Sequence, residues 1–199
     1  MIGLDYQDLK QRYESFVGSP RFERRDAQLR FAQIARRVLV SLVIKDKISN
    51  RDLTALINMF AFGAKEETFS RHLHALGFPD ELEKSIYEEY RETGETGFTG
   101  VGLAAIKDLD ENQLRAVQAL LKAVSEADSV EKVKQAVDAY EQQNVPKVTR
   151  GIYSPWLYYL QPGICPLLTG KVMNFFSERG LEGKLSYGEV VDLFGNIKT

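Results

Sequence analysis

The chain has 199 residues, 44% hydrophobic and 27% charged, with a net charge of −2, an ordinary globular composition that excludes a disordered tail or a repeat fibre. The longest apolar run, Val38 to Ile44, is seven residues even with Ser41 counted, against the ~20 needed to cross a bilayer, and MIGLDYQDLK has no secretory pattern, so cytoplasmic residence without a membrane partner is expected. A single cysteine, Cys165, excludes an internal disulfide, and two histidines, His72 and His74, give too little for a Cys/His zinc site, so neither metal nor cofactor is expected.

Apolar residues recur at helical spacing almost throughout, and no alternating stretch is long enough for a strand, which predicts a mostly α, multi-helix domain. The periodicity places helices at roughly 4–16, 23–45, 50–61, 65–76, 80–92, 110–126, 130–143, 154–161, 169–179 and 187–194. In the second of these, Ala27, Phe31, Ile34, Val38 and Leu42 form one stripe. Arg25 and Arg36 lie on one flank of it and Arg30 and Arg37 on the other, as phosphate ligands or as residues whose stems cover apolar surface. Start signals stand at Ser49-Asn50, at Asp110, at Ser129 and at Ser154-Pro155, where serine can cap and proline fits a first helical turn.

Between the two halves of the chain runs the glycine-dense segment Thr93-Gly94-Glu95-Thr96-Gly97-Phe98-Thr99-Gly100-Val101-Gly102. It lacks the Gly-Lys-Ser/Thr and the preceding strand of a phosphate-cradling loop, and it reads as a hinge or crossover anchored by Phe98. The expected organisation is therefore an N-terminal helical part over 1–96 and a C-terminal part over 97–199, packed as one unit.

Charge is distributed unevenly along this frame. Residues 1–51 hold 11 Lys/Arg against 6 Asp/Glu, residues 52–144 hold 9 against 18, and residues 145–184 hold 5 against 2. Two basic ends flanking an acidic middle suit a protein that meets a polyanion with part of its surface, and they are equally compatible with ordinary solvated helices.

No arrangement of side chains specifies an enzyme. His72 and His74, two apart on a helix, point about 200° away from each other, so one is expected exposed and the other half-buried. Cys165, within Gly163-Ile164-Cys165-Pro166-Leu167-Leu168, has an apolar setting and reads as a buried structural thiol. Glu88, Glu89, Glu92 and Glu95 read as a solvated face.

The informative segment runs from Asn144 to Leu160: a short loop with Pro146, Lys147, Thr149, Arg150 and Gly151, then a helix entered at Ser154-Pro155. Such a loop leaves the next helix's first amides free beside positive side chains, a ready phosphate site. Tyr153, Trp156, Tyr158 and Tyr159 add four aromatics, of which at least two should be core.

This helix, short glycine-containing hairpin and helix resembles the helix–hairpin–helix element with which DNA repair proteins grip a phosphate backbone. Arg150-Gly151-Ile152, Pro155-Trp156, and Pro162 through Pro166-Leu167-Leu168-Thr169 look like the corresponding part of helix–hairpin–helix DNA glycosylases, over about 30 residues. Tyr153 stands where that family's second turn glycine would be, an extra residue precedes Pro155, and Thr169 or Leu168 takes the place of the catalytic aspartate. The hairpin helix, Trp156-Leu157-Tyr158-Tyr159, offers no catalytic lysine. The resemblance thus implies nucleic-acid binding and argues against base excision. Gly-Ile-Tyr-Ser-Pro-Trp-Leu-x-Tyr, followed by proline and a Cys-Pro-Leu segment, also resembles N-terminal regions of McrB-type modification-dependent restriction proteins. In these a recognition module precedes a AAA+ GTPase motor that works with a nuclease subunit. The chain has no Walker A pattern.

The expected function is therefore a non-enzymatic DNA-binding specificity module of a restriction-type defence protein, gripping duplex DNA through Lys147, Thr149, Arg150, Gly151, Tyr153, Ser154, Trp156 and Lys171. Arg25 and Arg36 form a secondary basic face. A modified base, if read, could be turned out into a pocket built from some of the four aromatics. A glycosylase-like repair protein and a helical protein-interaction adapter are the alternatives.

Overall fold

The computed structural model describes residues 25–60, 65–93, 106–168 and 186–197, with five further positions between 11 and 18. Eight helices have defined bounds among the described residues: α1 Arg25–Val43, α2 Asn50–Met59, α3 Glu66–Ala75, α4 Asp80–Thr93, α5 Glu111–Ser125, α6 Val130–Glu141, α7 Arg150–Leu160 and α8 Tyr187–Ile197. Gln11, Glu14 and Ser15, within the first predicted helix, and Val17, just past it, are also helical. The expected helix at 169–179 and the glycine-dense segment beyond Thr93 lie outside the described residues. No strand occurs among the described residues, so the fold is all α.

Local chemistry accounts for the helix starts. Ser49 caps α2 and Asp110 caps α5 in reciprocal capping boxes with Asp52 and Gln113, and the Ser129 side chain accepts from the Lys132 amide at the head of α6. Gly77, at φ +64°, ends α3 in the left-handed conformation open to glycine, its amide donating to the His74 carbonyl.

α1 is the central element. Four of the five residues of its predicted stripe, Phe31, Ile34, Val38 and Leu42, are at 2% exposure or less, Ala27 near the start is half-buried, and the helix packs against α4, α5 and α7. Phe31 meets Phe60, Tyr90 and Tyr159 edge-on, which joins α1 to α4, to α7 and to the residue closing α2. One hydrophobic core runs from Phe31 to Val191 across both predicted parts of the chain.

A polar seam also joins them. The Asn50 side chain donates to the Leu109 carbonyl at 2.9 Å and accepts from the Leu109 amide at 3.1 Å. One turn on, the Thr54 hydroxyl does the same for the backbone of Ile106, at 3.0 and 2.9 Å. Gln118 of α5 donates to the Lys45 carbonyl beyond the end of α1. Residues 50 and 54 are one helical turn apart, so α2 grips the 106–109 segment as an edge, satisfying backbone groups that have no helix of their own.

Candidate nucleic-acid interface

The α6–α7 hairpin holds most of the expected site. α6 ends at Glu141, the chain turns through Asn144 at φ +48°, and Lys147 sits at φ +66°. The Val148 amide donates back to the Pro146 carbonyl at 2.8 Å across Lys147, a three-residue turn that a side-chain-bearing residue adopts only under strain. Buried Val145 and Val148 pin the loop to the core, and the Tyr140 hydroxyl fixes it by donating to the Val148 carbonyl at 2.9 Å. Lys147 is thereby held outward, half exposed, with Asp108 accepting from its ammonium at 2.9 Å.

The helix begins four residues earlier than the sequence predicts. Thr149 is its N-cap, and both Ile152 and Tyr153 donate their amides to the Thr149 carbonyl, at 2.8 and 3.0 Å, so the first turn closes there. Ser154 and Pro155 lie one turn inside, buried, and the Ser154 hydroxyl has no partner among the described residues. Ser154 therefore neither caps the helix nor offers a free amide. The bond that Pro155 cannot donate would go to the Gly151 carbonyl. Gly151 is exposed, so water can satisfy that carbonyl and the proline is tolerated.

The aromatic pocket for an extruded base is also corrected. Tyr153, Trp156 and Tyr159 are each at most 2% exposed, and Tyr158 is half-buried. Tyr153 lies edge-on to Tyr140 and Tyr187 at 5.4 and 5.6 Å, and Tyr159 lies edge-on to Phe60 at 5.3 Å, so these rings spend their faces on one another. Burial raises the hydroxyl pKa of Tyr140, Tyr153 and Tyr187 well above the ordinary value.

Facing solvent beside this core is a cleft of about 510 Å³ whose wall includes Tyr140, Glu141, Asn144, Thr149, Arg150 and Tyr153. The Glu141 carboxylate is its centre: one oxygen accepts from the Arg150 guanidinium at 3.1 Å and from the Tyr153 hydroxyl at 2.5 Å. Burial works against the Arg150 charge, but the neighbouring Glu141 carboxylate more than offsets this and its pKa is raised. Glu141 and Asp108, which hold the two cations of the hairpin, were not among the expected site residues. Only the fold brings them there, although a carboxylate and an arginine on opposite sides of a short predicted loop is a pattern that could have flagged Glu141.

The pairing extends across the molecule. Arg37 bonds Glu89, Lys45 bonds Asp52 and Lys47 bonds Glu111, as Lys147 bonds Asp108 and Arg150 bonds Glu141. In each case a cation from one basic end meets a carboxylate of the acidic middle. Of the secondary basic face, Arg36 is exposed, as is Arg30, while Arg25 opens α1 with its side chain outside the described residues. Lys171 and Thr169 also lie outside the described residues, and Leu168 is buried.

The remaining candidates are placed as follows. Cys165 is fully buried, and that burial pushes its thiol up to about 12, so it is a poor nucleophile. His72 is half-buried and His74 exposed, with His74 against Glu83 at 3.2 Å on the rim of a second, larger cleft of about 810 Å³ between α3 and α4. That cleft mixes Glu66, Arg71 and Glu83 without a dominant sign. No helix among the described residues is long and apolar enough to cross a membrane. No protein-family model, curated protein or solved structure matches the chain.

Proposed function

We propose that this chain is a duplex-DNA-binding, non-enzymatic specificity module of a restriction-type defence protein, and that the α6–α7 hairpin contacts the phosphate backbone. The observation that carries this reading is the N-terminus of α7. Thr149 makes no side-chain cap bond and no acidic residue lies in the first turn, whereas α2, α3, α4, α5, α6 and α8 each have at least one there. Gly151 leaves open space where a side chain would stand, and Lys147, in the loop before the helix, is half exposed. A positive helix end with no carboxylate in its first turn and a lysine in the preceding loop suit a phosphate oxygen. The resemblance of residues 150–169 to DNA-gripping hairpins supports the same reading. Within it, a AAA+ motor and a nuclease subunit are the expected partners, and Arg36 offers a second contact.

Because Tyr153, Trp156 and Tyr159 are core, a modified base would be read from the groove, where a methyl group is already visible, and not by extrusion between these rings. The test is a titration against duplex DNA, with and without modified bases, at two salt concentrations. Lys147→Ala is expected to weaken binding and to flatten the slope of log affinity against log salt by about 0.9, the loss of one phosphate contact. An unchanged slope and affinity would remove the hairpin from the interface.

A second reading, a helical protein-interaction adapter, is favoured by one observation. Leu29, Val40 and Ile44 are 53%, 40% and 78% exposed, and their spacing puts Leu29 and Val40 on the outer side of α1 with Ile44 just past its end. Val40→Asp with Ile44→Asp, leaving DNA binding intact while abolishing capture of a protein partner, would separate the two surfaces.

A further inference from the structure

We propose that Glu141 is a built-in stand-in for a phosphodiester: its carboxylate occupies the Arg150 guanidinium in the free protein and must release it when the α6–α7 hairpin engages a nucleic-acid backbone. The proposal rests on the DNA reading above and adds to it a device that regulates the same site.

The placement of the two charges is the first argument. Glu141 is the last residue of α6 and Arg150 the first of α7. Carboxylates are favoured at helix N-termini and cations at C-termini, so each stands at the wrong end of its own helix. Helix stability alone would exchange them. What the arrangement achieves is a positive Arg150 guanidinium, at the head of α7, paired with a carboxylate.

The second argument is the geometry of that cover. A single carboxylate oxygen of Glu141 takes both the Arg150 and the Tyr153 donors. Arg150 and Glu141 side chains are 31% and 29% exposed, open enough to the 510 Å³ cleft for exchange with a solvent-borne anion. A phosphodiester offers the same kind of acceptor, with a second oxygen for the positive end of α7. Tyr153, buried and anchored on Tyr140 and Tyr187, fixes the carboxylate from behind without lending it a positive charge.

The consequence is a free-state cost on binding that is removed by neutralising Glu141. Glu141→Gln keeps the shape and an acceptor for Tyr153 and removes the charge. It is expected to bind duplex DNA more tightly, with a salt slope steeper by about 0.9, so the gain is about threefold larger at 50 mM than at 200 mM salt. Glu141→Ala should act in the same direction. Adding Arg150→Ala to either should abolish the gain. Glu131→Gln, which removes the same charge from the other end of α6, should produce no change in slope, which separates the latch from general charge.

The arms also separate the latch from the DNA reading. If wild type binds duplex through Lys147 and Glu141→Gln matches it in affinity and slope, the latch is wrong and the DNA reading stands. Should no variant bind duplex, inorganic pyrophosphate is titrated while the Arg150 side-chain Nε–H resonance is followed. Shifts in Glu141→Gln but not in wild type would keep the latch and overturn the DNA reading, and no shift in either would overturn the latch.

Discussion

Asn50 makes the clearest test of how the two parts of the chain hold each other. Its side chain supplies both a donor and an acceptor to the backbone of Leu109, at 2.9 and 3.1 Å. In Asn50→Ala both backbone groups lose their partner beside a residue that is 5% exposed. Each bond is worth about 1 kcal/mol net, with somewhat more lost where water cannot replace it, and alanine returns a few tenths of a kcal/mol in helix propensity. Thr54 still grips Ile106, so the segment stays attached, and the expected cost is about 2 kcal/mol. At a urea dependence of about 2 kcal/mol per molar, the midpoint falls by about 1 M. The assay is unfolding followed by emission of Trp156, the sole tryptophan, which is buried in α7, far along the chain from the substitution. Asn50→Asp keeps the acceptor for the Leu109 amide but turns a carboxylate oxygen toward the Leu109 carbonyl, so even with a favourable negative charge in the first turn of α2 a shift close to that of alanine is expected. Two results together would refute the reasoning: an unchanged Trp156 midpoint and undiminished exchange protection at the Leu109 amide. They would mean that the seam carries no load and that the parts unfold separately.

Trp156→Ala should destabilise by about 3–5 kcal/mol, since a large side chain at 2% exposure is removed, whereas Trp156→Phe, still folded, should keep full duplex affinity and discrimination; loss of discrimination in a folded variant would restore the aromatic-pocket reading. Cys165 should resist a thiol reagent at pH 8 in the native state and react on unfolding, because its thiol is pushed up to about 12 by burial; fast native labelling would show that the site is open. The same burial raises Tyr140, Tyr153 and Tyr187, so the folded chain holds these protons more tightly than the unfolded one. Stability is then unaffected below the ordinary thiol value of 9.0 and falls as pH rises from there through about 12, which alkaline unfolding curves will show; a flat profile would contradict it. The isolated chain is expected not to excise bases, because the position that the resemblance gives to the catalytic aspartate holds Thr169 or Leu168, neither of which carries a negative charge; abasic sites formed in alkylated, deaminated or oxidised duplexes by purified protein would overturn this.

Local signals carried much of the fold. The spacing of Phe31, Ile34, Val38 and Leu42 determined which side of α1 faces inward, because burying apolar surface has one solution at helical periodicity. Ser49, Asp110 and Ser129 determined where three helices start, because a cap is a contact between residues only a few positions apart. The same kind of signal misled at Ser154-Pro155. Thr149 can close a first turn as well, and burial of Tyr153 on Tyr140 and Tyr187 favours the earlier start.

Charge is where the tertiary structure decided what the sequence left open. Counted along the chain, two basic ends flank an acidic middle and suggest a continuous basic surface. In the fold Arg37, Lys45, Lys47, Lys147 and Arg150 each meet a carboxylate from that middle, four of them across 9 to 64 residues and Lys45 across seven. The identity of the aromatics marked residues 153–159 as important, but only packing, of Tyr159 on α1 and of Tyr153 on α6 and α8, made them core together with Trp156 and left the hairpin loop and the α7 N-terminus to face solvent. Helix periodicity and capping are properties of neighbours in the chain and can be read from it. Which cation is covered by which carboxylate depends on segments brought together from a distance, and that is set by the one core they share.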